Sequence, residues 1–149
     1  MTVAATILLA EDDDDDYYFA AQAFQKIGLQ TQVRRVKDGE ELMDFLLRRG
    51  GNATALPPIV VLLDLRMPKK SGWEALREIK SDALLRRVPV VVLTSSDSEE
   101  DVARAYDLGC NSFIKKPMGM DAYVALAQAI KDYWLQIVEF PRAGPVQGG

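Results

Sequence analysis

The chain has no histidine. That excludes a histidine general base, an imidazole zinc ligand and a phosphohistidine carried by this chain. Cys110 is the single cysteine, which excludes an intrachain disulfide framework and a multi-cysteine metal site. Positive charge is in deficit, with 18 Lys and Arg against 22 Asp and Glu and a formal net charge of -4. Non-specific nucleic-acid binding needs a basic face. Here the pairs Arg34-Arg35, Arg48-Arg49, Lys69-Lys70 and Arg86-Arg87 are scattered among acids, so no nucleic-acid partner is expected. No apolar run approaches the ~18 residues of a membrane span. The start, MTVAATILLAEDDDDD, has no basic region before its apolar stretch, unlike a signal peptide. The expectation is a cytoplasmic protein with no membrane partner.

What is present is enough for one packed domain: 149 residues, 48% hydrophobic and 27% charged. Apolar runs alternate with helical patterns along the whole chain. Thr6 to Ala10 reads as a buried strand that stops at acid. A helix over 14–28 follows, with Tyr17, Tyr18, Ala21, Phe24 and Ile27 at helical spacing and Gly28 at its end. Gln32 to Val36 reads as a strand near an edge, because Arg34 and Arg35 interrupt it. Asp38 is a candidate cap for a helix over 40–49, with Leu42, Met43, Leu46 and Leu47 as its apolar positions. The segment GGNATALPP is a loop by composition.

Ile59 to Leu63 is the most apolar strand and ends at Asp64. Ser71 can cap a helix over 72–83. Val88 to Leu93 is a further β-branched strand, with Pro89 near its start. A helix over 99–108, a short strand over 112–114 and a long helix over 120–138 complete the alternation. Repeated β-α units with near-continuous Val, Ile and Leu strands predict a parallel sheet covered by helices on both faces. Residues 1–141 then form one domain, and 142–149 a flexible tail.

In such open sheets the ligand site lies beyond the carboxyl ends of the strands. That edge collects Glu11 and Asp12 from the first strand, Asp64 from the third, Thr94 and Ser95 from the fourth, and Lys115 and Lys116 after the fifth. Three clustered carboxylates need a counter-charge. Oxygen-only donors suit Mg²⁺, and a lysine ammonium suits a phosphoryl oxygen. A carboxylate nucleophile, a metal, a lysine and a hydroxyl together suit phosphoryl transfer to an aspartate.

The segments ILLAEDD, VVLLDLRMPKKSGWE, PVVVLTSSD and SFIKKP, in that order, resemble the signature segments of response-regulator receiver domains of two-component systems. The resemblance runs from about Thr6 to Ile130. It implies a flavodoxin-like doubly wound sheet of strand order 2-1-3-4-5. Asp64 would be the phosphoacceptor. Glu11, Asp12, Asp64 and the backbone carbonyl of Arg66 would hold Mg²⁺. Thr94, Ser95 and Lys116 would contact the phosphoryl group, with Lys116 preferred to Lys115 because the family's lysine directly precedes the proline. Thr94 and Phe113 would form the conformational switch. The phosphodonor would be a partner histidine kinase. Glu11 stands where many members carry Asp, and Phe113 lacks the hydroxyl of a Tyr at that position. The acids Asp13 to Asp16 leave the register of the metal pair open.

Each residue also has an ordinary reading. A run such as Asp13 to Asp16 is usually a solvated helix start whose carboxylates cap amides and favour the dipole. Lys115 reads as a surface lysine and Cys110 as a small buried residue.

The predicted last helix is about 28 Å long at 19 residues, against roughly 17 Å for a five-residue strand. Its overhang, 131–141, is apolar: Tyr133, Trp134, Leu135, Ile137, Val138 and then Phe140. An apolar overhang marks an interface, so a homodimer through Tyr133, Trp134, Ile137, Val138 and Phe140 is expected, the alternative being that these residues fold back over the domain's own core. The long loop before the third strand, MPKKSGWE and the YWLQIVEFP ending resemble the stand-alone response regulators of bacterial and cyanobacterial phytochromes. That likeness implies an arm-like dimer and a phytochrome kinase as partner. With no output domain after Pro141, output would run through protein contacts or a downstream phosphotransfer protein.

Three other functions are possible for such a chain. An Asp-nucleophile phosphohydrolase would often carry a second acid two residues after the nucleophile, where this chain has Arg66. An adaptor on a receiver scaffold would bind partners independently of phosphorylation. A flavin protein would need a loop after the first strand that accepts phosphate, where this chain has acids.

Overall fold

A computed structural model describes residues 6–29, 31–47, 58–96 and 98–134. Among them, five strands pair entirely in parallel in the order β2-β1-β3-β4-β5. The strands are β1 (Thr6–Ala10), β2 (Gln32–Val36), β3 (Val60–Leu63), β4 (Val90–Thr94) and β5 (Ser112–Lys115). The helices are α1 (Asp14–Lys26), α2 (Gly39–Leu46), α3 (Gly72–Ser81), α4 (Glu99–Asp107) and α5 (Met120–Asp132). The doubly wound parallel sheet expected from the alternation is what forms, with β2 at an edge.

Side chains alternate across each strand, so the sheet builds two cores. Leu8, Ala10, Val61, Leu63, Val90 and Val92 face α2, α3 and α4, meeting Leu42, Leu76, Ile79 and Ala105. Ile7, Leu9, Val60, Leu62 and Val91 face α1 and α5, meeting Ala23, Phe24, Ala127 and Ile130. With both faces covered, the alternating strands still read as continuous apolar runs.

Several boundaries move. β4 begins at Val90 rather than 88, because Pro89 has no N–H to give the ladder. A 3₁₀ turn at Leu85–Arg87, not foreseen, joins α3 to β4. Its entry is held by the Asp82 carboxylate, which accepts from the Leu84 and Leu85 amides at 2.8 and 2.9 Å. The core stripe of α1 is Ala20, Ala23 and Phe24, so Tyr18 turns outward at 57% exposed. Leu47, expected on the apolar face of α2, caps that helix and is partly exposed.

The regular part of α5 ends at Asp132, followed by one wider turn through Tyr133 and Trp134. Trp134 is buried in the α1–α5 core, while Tyr133 is 52% exposed. The expectation that both belong to a dimer contact is corrected for Trp134, which its own domain already uses. Ile137, Val138 and Phe140 lie outside the described residues, as do the GGNATALPP loop except for Pro58 and the tail. Cys110 is buried, and burial pushes its thiol pKa up.

Candidate functional site at the carboxyl edge of the sheet

Strand topology carries the acids to one edge. β1 is hydrogen-bonded to both β2 and β3, which sets Ala10 beside Leu63 and so Glu11 beside Asp64. Glu11 and Asp64 are buried at 3% and 6% exposed, whereas Asp12 is exposed. One carboxylate oxygen from each of the three lies within 4.8 Å of the others.

Lys116 enters this cluster from the end of β5. Its backbone N–H donates to the Thr94 carbonyl at 2.8 Å, tying it to the end of β4. Its ammonium lies 2.8 Å from Glu11 Oε1, 2.9 Å from Asp64 Oδ2 and 2.6 Å from Asp16 Oδ2. Lys116, preferred to Lys115 on sequence, is thus placed among these carboxylates.

The electrostatics follow from burial and crowding. Burial pushes the Glu11 carboxyl up, the bond from Lys116 pulls it back, and the neighbouring Asp64 charge pushes it up again, to about 7. Burial alone would draw Lys116 down, but its bonds to Asp16, Glu11 and Asp64 outweigh that and hold its proton more firmly than in an ordinary lysine.

Backbone contacts fix the acids. The Asp13 amide donates to Glu11 Oε2 at 3.1 Å, and the Arg66 amide donates to Asp64 Oδ1 at 3.2 Å. The loop after Asp64 is clamped by two glycines. A Cβ on Gly72 would stand 2.2 Å from the Asp64 carbonyl oxygen, and one on Gly39 would stand 2.1 Å from that of Lys70. Neither position admits a side chain without moving the loop. Gly39 also donates its amide to the Lys70 carbonyl at 2.9 Å, joining the start of α2 to this loop. At the loop's far end Ser71 and Glu74 form a capping box, so α3 starts at a fixed place.

On the opposite side Arg35 braces the acidic loop. Its Nε donates to the Glu11 carbonyl at 2.9 Å, and its guanidinium lies 4.5 Å from the centre of the Tyr17 ring. A terminal nitrogen of Arg35 sits 2.8 Å from Asp14 Oδ1, a close ion pair that lacks hydrogen-bond alignment. That pairing holds the Asp14 carboxyl below its usual range.

The acidic run after Asp12 thus divides its labour. Asp13 caps α1 by accepting from the Asp16 amide at 2.9 Å. Asp14 pairs with Arg35, and Asp16 reaches Lys116. The reading of the run as an ordinary helix start holds for Asp13 and misses Asp16, whose partner is 100 residues away in sequence. Thr94 is buried at the end of β4. Ser95 follows it on the same edge and is exposed. Phe113, partly buried, packs against the core on the α2–α4 side.

The donor set fits a hard divalent cation. All three clustered groups, Glu11, Asp12 and Asp64, are carboxylates, and the Lys116 ammonium is paired with Glu11, Asp16 and Asp64. Mg²⁺ satisfies such a set with water in its remaining octahedral positions.

The chain resembles known proteins over most of its length. The family model described as the response regulator receiver domain matches residues 7–128. Response regulator Rcp1 of Synechocystis is 40% identical over 108 residues, covering 72% of this chain and 74% of Rcp1. Its Mn²⁺-bound structure superposes with a TM-score of 0.83 at 35% identity, covering 93% of this chain and 99% of that one. The phosphorylated cyanobacterial phytochrome response regulator RcpA superposes with a TM-score of 0.87 at 37% identity, covering 94% of this chain and all of that one. The probable methanogenesis regulatory protein FilR2 of Methanothrix harundinacea is 40% identical over 114 residues, 76% of this chain and 73% of the relative.

Proposed function

The chain belongs to the response-regulator receiver family, and on that footing we propose that it is a signalling phosphoacceptor whose Asp64 takes a phosphoryl group from a partner histidine kinase. The observation that carries this is the buried Asp64 carboxylate set among two further acids and the Lys116 ammonium at a sheet edge.

In the transfer an Asp64 carboxylate oxygen forms the new P–O bond as the P–N bond to the donor's imidazole breaks in line. The bond electrons leave with the imidazole nitrogen, which takes up a proton. Glu11, Asp12, Asp64 and the Arg66 carbonyl would hold Mg²⁺, which when bound neutralises charge developing on the phosphoryl oxygens. Lys116 supplies a fixed positive charge beside Asp64, and Thr94 supplies a hydroxyl donor at the end of β4. Thr94 and Phe113 then repack, and the face of α4 and β5 changes its contacts. Ser95 is a further phosphoryl contact in this reading.

The only phosphorylation and dephosphorylation chemistry is on the protein's own Asp64, so it is not a multiple-turnover phosphohydrolase; Arg66 in place of a second acid supports that. The kinase is a phytochrome, a reading supported by the likeness to RcpA over nearly the whole chain. The protein works in the cytoplasm as a homodimer built on the segment after Asp132, with Tyr133 at its exposed start, and passes its signal to a phosphotransfer or output protein. Among the described residues no helix is long and apolar enough to cross a membrane.

The test is incubation with Mg²⁺ and acetyl phosphate, followed by intact mass measurement. One phosphoryl group is expected on the wild type and none on Asp64→Asn. Labelling that survives the substitution would remove Asp64 from the role. Partner binding unchanged by phosphodonor would instead favour the adaptor.

A further inference from the structure

The Lys116 ammonium has three N–H donors and three carboxylate partners, all within 2.9 Å. Two of those partners, Glu11 and Asp64, are also two of the three acids in the candidate cation cluster. A bound divalent cation and the ammonium therefore compete for the same two carboxylates. The third partner, Asp16, is outside the cluster. It is carried on the first turn of α1, where its own amide is bonded to the Asp13 cap, and its side chain is 31% exposed.

We infer that Asp16 is a positioning residue, which holds the Lys116 ammonium beside Asp64 while freeing Glu11 and Asp64 oxygens for a divalent cation. This rests on the reading of Asp64 as the phosphoacceptor. Lys116 has little freedom of its own, because its backbone is bonded to Thr94 and its side chain is 10% exposed. Without Asp16 the ammonium turns its full charge onto the two remaining acids. It then holds them against the cation. The residue therefore sets the balance between two positive charges at one site, and it acts through Lys116 rather than on the cation.

A double-mutant cycle separates this from a general charge effect. Mg²⁺ affinity is measured by calorimetry for the wild type, Asp16→Asn, Lys116→Met and the double variant. High ionic strength screens the long-range effect of deleting a partly exposed charge. Asp16→Asn is expected to weaken Mg²⁺ binding roughly five-fold when Lys116 is present, the scale of one charge-assisted hydrogen bond. In the Lys116→Met background the same substitution is expected to change affinity by less than about two-fold. Lys116→Gln replaces Lys116→Met if the latter does not fold. At saturating Mg²⁺, Asp16→Asn should also slow labelling by acetyl phosphate. An equal change in both backgrounds, or none in either, overturns the positioning role. A wild type that takes up no phosphoryl group overturns the phosphoacceptor reading instead, and the metal cycle still reports on Asp16.

Discussion

Replacing Glu11 by Gln should remove a pH dependence that the wild-type fold carries. Glu11 is 3% exposed and lies beside Asp64, and its carboxyl is pushed from 4.5 to about 7. The folded state binds that proton more tightly than the unfolded chain does. Its stabilising effect is therefore complete below about 4.5, falls as pH rises, and is gone above about 7. The difference between 4.5 and about 7 corresponds to about 3 kcal/mol. Gln mimics the protonated carboxyl in shape and charge, so the metal-free wild type should lose most of this, about 2–3 kcal/mol, relative to Glu11→Gln between pH 5 and pH 8. Urea unfolding with EDTA reads this directly, because a slope of about 1–3 kcal/mol/M turns it into a relative midpoint shift of about 1–3 M. Taking the difference between the two proteins cancels every titration they share. Adding Mg²⁺ at pH 8 should restore the wild type, since a cation that binds only the folded state stabilises it by mass action. Parallel stability curves for the two proteins would refute the claim that Glu11 is held near neutrality by its burial and by Asp64.

Two further outcomes are expected. Gly72→Ala drives a Cβ to within 2.2 Å of the Asp64 carbonyl, so it should cost about 1–3 kcal/mol in chemical denaturation and slow phosphorylation by displacing the loop; wild-type stability and labelling would contradict the clamp. A chain ending at Trp134 keeps the tryptophan that the core uses, so it should remain folded but run as a monomer in light scattering; a dimer of that truncated form would place the interface elsewhere.

The site was legible because its residues occupy positions that a strand pattern marks. Glu11, Asp64 and Thr94 each follow a short apolar run that can only be a buried strand, and parallel winding brings all such ends to one edge. The caps were legible for the same local reason: Asp38 accepts from the Glu41 amide at 2.8 Å and Ser71 from the Glu74 amide at 3.2 Å, as single residues before helical patterns announce. Asp16 was not legible. It sits in a run of identical acids, and only the packing of α1 beside the end of β5 gives it a partner distinct from those of Asp13 and Asp14. Arg35 was hidden likewise, since an arginine in an edge strand reads as solvent-facing until β1 fixes the Glu11 carbonyl beside it. The phase of α1 is not legible, because Tyr17 and Tyr18 are adjacent and spacing alone does not say which of two neighbouring aromatic residues faces the sheet. Trp134 read as overhang because strand length bounds a helix only where the helix ends with the sheet.

The most direct measurement locates the phosphoryl group itself. Treating the Mg²⁺- and acetyl phosphate-labelled protein with borohydride reduces an aspartyl phosphate to homoserine, which peptide sequencing by mass spectrometry assigns to a single residue. The account predicts homoserine at position 64, and none when Mg²⁺ is removed with EDTA before the donor is added. Homoserine at another aspartate, or a wild type that yields none with Mg²⁺ and donor both present, would contradict it.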